Sequence, residues 1–386
     1  MILPEIAADE HEFVSLRRHL HTRPELGYEE FETSDLVARL LGEWGYEVRR
    51  GLGGTGVVGT LRSGTGGRSL GIRADMDALP IEEETGLPYR SQTPGKMHAC
   101  GHDGHTTILL AAARQLARSR RFDGTVHLLF QPAEEGLAGA RRMMDDGLFE
   151  LFPCDAVFAL HNWPNRPAGD FLFKPGVLMA AADHVEITIR GKGGHGAHPE
   201  QTLDPVVAGA STVMALQSVV SRNIDPQDPA VVTVGAFQAG QASNVIPETA
   251  LLKLSVRSFD EKIHDQLERR ITEIAMAQAL SYGCTAEVDY RRIYPVLVNA
   301  EAETAFARAV AVEVAGEGRV RDVVRPTPGS EDFAFMLQEK PGCYFMLGAG
   351  DGPMLHHPKF DFNDAILTRG ASYWVHLAER FLPKAA

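Results

Sequence analysis

The 386-residue sequence has only four cysteines, Cys100, Cys154, Cys284 and Cys343, too few and too far apart to staple a chain of this size. A disulfide scaffold is excluded, and a reducing cytoplasm is the expected compartment. No apolar run approaches the roughly 18 residues that span a bilayer. The first ten residues carry Glu5, Asp9 and Glu10 where a secretory leader has a basic segment before an apolar core. Neither a membrane span nor a secretion signal is expected. Basic residues are scarce, 38 against 51 acidic ones, for a net charge of −13 with no long Lys/Arg run, so nucleic acid is not expected as a partner. Pro/Ser and Gln/Asn tracts are absent. With 44% hydrophobic and 23% charged residues the composition is that of an ordinary folded protein, and the length suggests two or three domains.

The first half alternates short apolar strands with amphipathic helices, the grammar of a helix-flanked, mainly parallel central sheet. A helical stripe covers Thr33–Trp44. Strands are predicted at Gly56–Arg62, Ser69–Ala74, Thr125–Gln131 and Asp155–Leu160, with a helix from about His105 to Ser119. From Asp183 the pattern changes. Val185, Ile187 and Ile189 alternate with Glu186, Thr188 and Arg190, the mark of a strand buried on one face. Asp204–Pro205 opens a helix, and Ile263, Leu267, Ile271 and Ile274 form the stripe of another. The order β-α-β-β-α-β is ferredoxin-like. The expected α/β architecture is therefore a catalytic domain in two parts, residues 1–183 and 299–386, with an inserted ferredoxin-like α+β domain at 184–298.

Open α/β sheets place ligands beyond the carboxyl ends of their strands. Asp75 and Asp77 are read as following the second strand, Glu134 and Glu135 the third, and His161 the fourth. The loop Met97–His105, with His98, Cys100, His102, Asp103 and His105, enters the long helix, and His356 and His357 form a late cluster. Each piece has an ordinary explanation: Cys100 as a small buried hydrophobe, Glu134–Glu135 as a solvated helix start, His161 as a hydrogen-bonded core residue. Together, thiol, imidazole and carboxylate groups at one sheet edge describe a transition-metal site and not the all-oxygen cage of calcium or magnesium. No second cysteine pair completes a structural zinc pattern, so a catalytic site is expected.

Several of these segments resemble a known family. Arg17-Arg18-His19-Leu20-His21 with Pro24-Glu25-Leu26, then Arg73 to Pro80, His98 to Asp103 and Gln131 to Gly136 are similar to the amidohydrolase branch of the aminoacylase and carboxypeptidase G family of metallopeptidases. Gly193-Gly194-His195, Asn244 to Pro247, Val256 to Asp260, Gly329 to Phe333 and His356-His357-Pro358 continue the resemblance over nearly the whole chain. It implies two divalent metal ions per subunit, of zinc, manganese, cobalt or nickel, held by Cys100, His102, Glu135, His161 and His356, with His357 as the rival of the last. It further implies Glu134 as the catalytic carboxylate and His195 as a donor reaching a partner subunit's site. Asn244 and Arg257 are candidates for gripping a substrate carboxylate. Asp75 and Asp103 are expected to orient imidazoles from behind.

The implied reaction is hydrolysis of N-acyl or N-aroyl amino acids, hippurate-like, by metal-activated water with a glutamate base. The partners expected are that small molecule and a second copy of the chain, with pairing of dimers into tetramers left open. A dipeptidase or carboxypeptidase using the same site is one alternative. A non-catalytic metal or ligand binder is the other, though it would need Glu135 and not Glu134.

Overall fold

The computed structural model describes residues 2–384. Their contacts fall into two units. The larger comprises the chain up to Leu178, Val298–Arg325 and the segment from Asp332 onward; the smaller comprises Met179–Leu297 and Pro326–Glu331. The short return Pro326–Glu331 lies outside the stretch expected for the insertion. It joins the smaller unit because the Ala180 N–H donates to the carbonyls of Thr327 and Gly329.

The larger unit is built on an eight-stranded sheet. Its centre is a parallel block in the order Gly124–Gln131, Ser69–Asp75, Ala156–Trp163, Gly342–Gly348. Every residue of Gly342–Gly348 is buried, as are all but the last of Ala156–Trp163. Such strands read as continuous apolar runs because both of their faces are covered. Antiparallel strands Glu47–Leu52 and Gly56–Ser63 extend one flank, and Phe171–Phe173 pairs antiparallel with Gly342–Gly348 on the other. Ile72, Phe158 and Phe345 share one core with Leu109 and Leu110 of helix His102–Ser119 and with Tyr373 and Trp374 of helix Leu367–Phe381.

Parallel alignment brings four strand ends, at Asp75, Gln131, Trp163 and Gly348, to the same edge. Two expected boundaries shift there. Asp75 is the last residue of its strand, and His161 lies inside its strand, which runs on to Trp163 by pairing with Met346, Leu347 and Gly348. The long helix starts at His102, a turn earlier than expected, so His102 sits on its first turn. No helix among the described residues is long and apolar enough to cross a membrane.

The smaller unit has strands Ala181–Arg190, Ala230–Ala239, Thr249–Ser258 and Thr285–Tyr294. They form one antiparallel sheet whose spatial order is second, third, first, fourth. With helices Pro205–Asn223 and Glu261–Ser281 this is the ferredoxin-like arrangement. Val185, Ile187, Ile189, Leu252, Leu254 and Val256 are buried against Leu216, Leu267 and Ile271 of the helices. Asp204 and Asp260 cap the two helices through their carboxylates, bonds worth about 1 kcal/mol each.

Candidate metal centre

The larger unit gathers the expected ligands into two overlapping sets. Donor atoms of Cys100, His102 and His161 lie within 4.8 Å of one another, and so do those of Cys100, Glu135 and His356. Cys100 belongs to both. Its sulfur is 3.3 Å from His161 Nε2, while His356 Nε2 is 3.2 Å from Glu135 Oε1. Glu134 is buried beside them, and its Oε1 accepts a long 3.4 Å bond from the Asp332 N–H. His356 has a positive φ of 65°, and its N–H donates to the Ala99 carbonyl, which ties the late loop to the segment before Cys100. His357 is turned back on its own loop, where its Nδ1 accepts from the Lys359 N–H.

Local backbone explains the aim of these groups. Gly101 has φ 95° and faces Asn162, whose Oδ1 would be 2.5 Å from an added Cβ. Only glycine fits between the thiol and the first turn of the helix. Asp77 Oδ1 accepts from His102 Nδ1 at 3.0 Å, leaving Nε2 toward the cluster, and Asp77 Oδ2 accepts the Glu135 N–H at 2.9 Å. His161 Nδ1 is 2.7 Å from the Asn162 carbonyl, which makes Nδ1 the protonated nitrogen and leaves a lone pair on Nε2.

The two carboxylates expected to steady ligand imidazoles are placed differently. Asp75 Oδ1 lies 2.6 Å from His105 Nδ1, its other oxygen accepts from Arg73, and His105 Nε2 faces Asn162. In the Asp75, His102 and His105 grouping the carboxylate and the His105 ring are thus already engaged by each other, by Arg73 and by Asn162. Asp103 points to His21 at 2.9 Å and to Arg17 at 3.3 Å instead of to any expected ligand. Successive helical residues are about 100° apart, so His102 and Asp103 cannot face the same side. The residue that does steady His102 is Asp77. Sequence reading noticed it at the strand end but gave it no role; its i, i+2 spacing from Asp75 was the available signal.

Burial and neighbouring charges set the electrostatics of these groups. Burial pushes the Cys100 thiol well above its ordinary range, with Glu135 and Glu134 adding to the effect. Burial alone would lower the His102 imidazole, but Asp75 and the Asp77 hydrogen bond hold it up at about 10. His161 is driven down by burial and by His105. Among the described residues His102 Nε2 and Glu135 Oε1 are both buried without a hydrogen bond, with His356 Nε2 standing 3.2 Å from the latter. Orphaned buried donors and acceptors are rare in native proteins. A soft thiolate, imidazole nitrogens and a carboxylate oxygen fit divalent transition metals.

The remaining candidates belong to the smaller unit. His195 pairs with Val245 in a short antiparallel bridge, and the Gly196 N–H donates to the Asn244 carbonyl, so His195 and Asn244 are neighbours. His195 is exposed, its Nδ1 accepting from Ala197 N–H. Arg257 is half-buried on strand Thr249–Ser258, donating to Ser255 Oγ and the Val256 carbonyl. It forms no ion pair among the described residues.

Residues 71–380 match the model of peptidase family M20/M25/M40. The chain belongs to this family. It is 45% identical over 381 residues to a hippurate hydrolase from Campylobacter jejuni, covering 99% of both chains. It is 38% identical to an N-acetyl-L-cysteine deacetylase from Bacillus subtilis, covering 97% of this chain and 89% of that one. A solved Bacillus subtilis structure, of a dinuclear metal-binding peptidase of the M20 family, superposes with a TM-score of 0.85. Sequence identity is 33%, over 98% of this chain and 100% of that one.

Proposed function

We propose that this family member is a metal-dependent amidohydrolase that cleaves N-acyl and N-aroyl amino acids into a carboxylic acid and a free amino acid. The observation that carries the reading is Glu134 buried beside five convergent donor groups, two of which have orphaned atoms. The relatives named for hydrolysis of hippurate and N-acetylcysteine support the substrate class.

Cys100, His102 and His161 would hold one divalent ion and Cys100, Glu135 and His356 a second. A pair of ions held there would supply Lewis-acid polarisation of an amide carbonyl and a lowered pKa for bound water. Glu134 takes the proton of the attacking water and returns it to the departing nitrogen, work suited to a carboxylate that is not itself a ligand. Asp77 fixes the His102 ring and the Glu135 backbone together. A non-catalytic binder would need Glu135 but not Glu134. The assay that tests the reading presents metal-stripped protein with zinc, manganese, cobalt or nickel and a panel of N-acetyl, N-benzoyl and longer N-acyl amino acids. Absence of turnover on every member would refute it.

Arg257, with Asn244, is proposed to bind the carboxylate of the amino-acid half. A planar guanidinium matches a carboxylate bidentately, and among the described residues Arg257 forms no ion pair with an acid. Arg257→Ala is expected to lower kcat/KM for acylamino acids roughly ten- to a hundredfold, about 1.5 to 3 kcal/mol. The corresponding amides, which lack the charge, should be nearly unaffected. Equal losses on both would remove Arg257 from this role.

We further propose a homodimer in which His195 completes the partner's site. Met214, Met276 and Leu280 stand exposed on the two helices of the smaller unit, an apolar surface that a second copy would cover. Mixing His195→Ala with Glu134→Gln under subunit exchange is expected to restore activity in part, because one site of each mixed dimer then has both residues. Verified heterodimers as inactive as their parents would reject the exchange of His195. All four cysteines are free, and a reducing cytoplasm would keep Cys100 available as a ligand.

A further inference from the structure

Glu30 is fully buried and occupies the N-cap position of helix Phe31–Glu43, but its side chain makes no cap bond to the helix. That duty has passed to Glu25, whose two carboxylate oxygens accept the Glu32 and Thr33 N–H groups at 2.9 Å each. Glu30 instead reaches across the larger unit. Its Oε1 accepts the Ala133 N–H at 2.8 Å and its Oε2 accepts the Thr55 hydroxyl at 2.6 Å.

Ala133 immediately precedes Glu134, and its backbone is left-handed, φ 54° and ψ 46°. Gly136 and Ala138 follow with φ of 77° and 56°, so the segment carrying Glu134 and Glu135 passes three times through a region that alanine disfavours. A conformation of that kind persists only where its surroundings over-determine it. Ala133 is fully buried, so its N–H has no recourse to bulk solvent, and its carbonyl is taken by the Gly139 N–H. At the next alternate position Asp77 takes the Glu135 N–H. The two buried carboxylates therefore grip the backbone on either side of Glu134.

We propose that Glu30 is a positioning residue: by holding the Ala133 N–H it keeps the left-handed turn that aims Glu134 and Glu135 into the metal centre. This rests on the amidohydrolase reading for its kinetic consequence but not for its structural one. Losing the grip lets Ala133 relax toward negative φ and swings the following carboxylates away from their neighbours. Reactive constellations tolerate displacements of only about 0.5 Å.

The test compares Glu30→Ala with Glu30→Gln. Glutamine keeps an oxygen for the Ala133 N–H and turns its amide toward Thr55, whose hydroxyl can accept as well as donate. Burial also pushes the Glu30 carboxyl up to about 7, against the Thr55 bond, so an uncharged substitute suits the site. Glu30→Ala is expected to lower kcat roughly ten- to a hundredfold, the scale for losing a group that orients a metal ligand, with KM changed less than about twofold. Glu30→Gln recovers most of the rate. Amide-exchange protection of Ala133, measured on the same samples, should fall in the alanine variant and persist in the glutamine variant. Adding Ala133→Gly to Glu30→Ala should return part of the rate, because glycine adopts the turn unaided. An alanine variant with unchanged kcat and unchanged protection overturns the proposal, as does a glutamine variant as impaired as alanine. If no substrate in the panel is turned over even by the wild type, the exchange measurement still decides the grip, separately from the assigned reaction.

Discussion

Replacing Glu134 by glutamine is expected to lower kcat by roughly 10² to 10⁴, the range for removing a general acid–base group, while metal content stays at the wild-type level. In the proposed reading the two readouts separate because Glu135 is a ligand and Glu134 the base, although an oxygen of Glu134 also lies among the donors with His102 and Glu135. Glu135 has an oxygen among the donors with Cys100 and His356, its N–H is held by Asp77, and its Oε1 lies 3.2 Å from His356 Nε2. Glu134 is buried with its oxygen near the Asp332 N–H. Glutamine at 134 preserves size and hydrogen bonding but has no basic oxygen to take a proton. KM should change little, since the lost interaction belongs to the transition state. Metal loss in the glutamine variant would reverse the roles given to the two glutamates, and a near-normal rate would place the base elsewhere.

The second large effect is expected at Cys100. Chelation should abolish hydrolysis and an added divalent metal restore it, and Cys100→Ala should lose metal and activity together. The cysteine is the one residue common to both donor sets. Its removal should therefore weaken binding by more than the roughly 10- to 100-fold expected of a group that only steadies a ligand, such as Asp77 behind His102. The burial and carboxylate neighbours that hold the thiol protonated make its ionisation depend on a cation nearby. Metal affinity should accordingly rise with pH, since a proton must leave the sulfur when the ion arrives. Dialysis against a chelator followed by elemental analysis of the variant and the wild type checks this. Full turnover by protein shown to contain no metal would overturn the assignment of the site.

Much of the fold was legible because its signals are local. Alternation at Val185, Ile187 and Ile189 reports one buried face, which follows from strand geometry alone. Asp204 and Asp260 announce their helices because a carboxylate at an N-cap needs only the next three residues. The donor types were legible for the same reason. Glu134 and Glu135 lie just after a predicted strand and Cys100 and His102 just before a predicted helix, and thiol and imidazole together select a class of metal whatever their arrangement.

Orientation was not local, and the structure decided it. Asp75, Asp77 and Asp103 look alike in sequence, yet Asp77 meets His102, Asp75 meets His105 and Asp103 meets His21. The difference lies in the rotation of helix His102–Ser119 against the end of strand Ser69–Asp75, which no spacing encodes. His356 stood as a ligand only through the resemblance, with His357 as its rival; in the structure one packs toward Glu135 and the other turns back on Lys359. Glu30 was invisible for the strongest form of this reason. It sits at the start of a helix and reads as an unremarkable charge, and only the packing of Ala133 against it, 103 residues on, makes it a hydrogen-bond acceptor for the segment that carries the glutamates. Periodicity and residue type are properties of short segments, so the elements and the chemical groups gathered at one sheet edge could be read before any packing was known. Which atom of each group faces which neighbour was decided by tertiary structure alone, because hydrogen-bond partners from distant segments compete for each side chain and packing selects the winner.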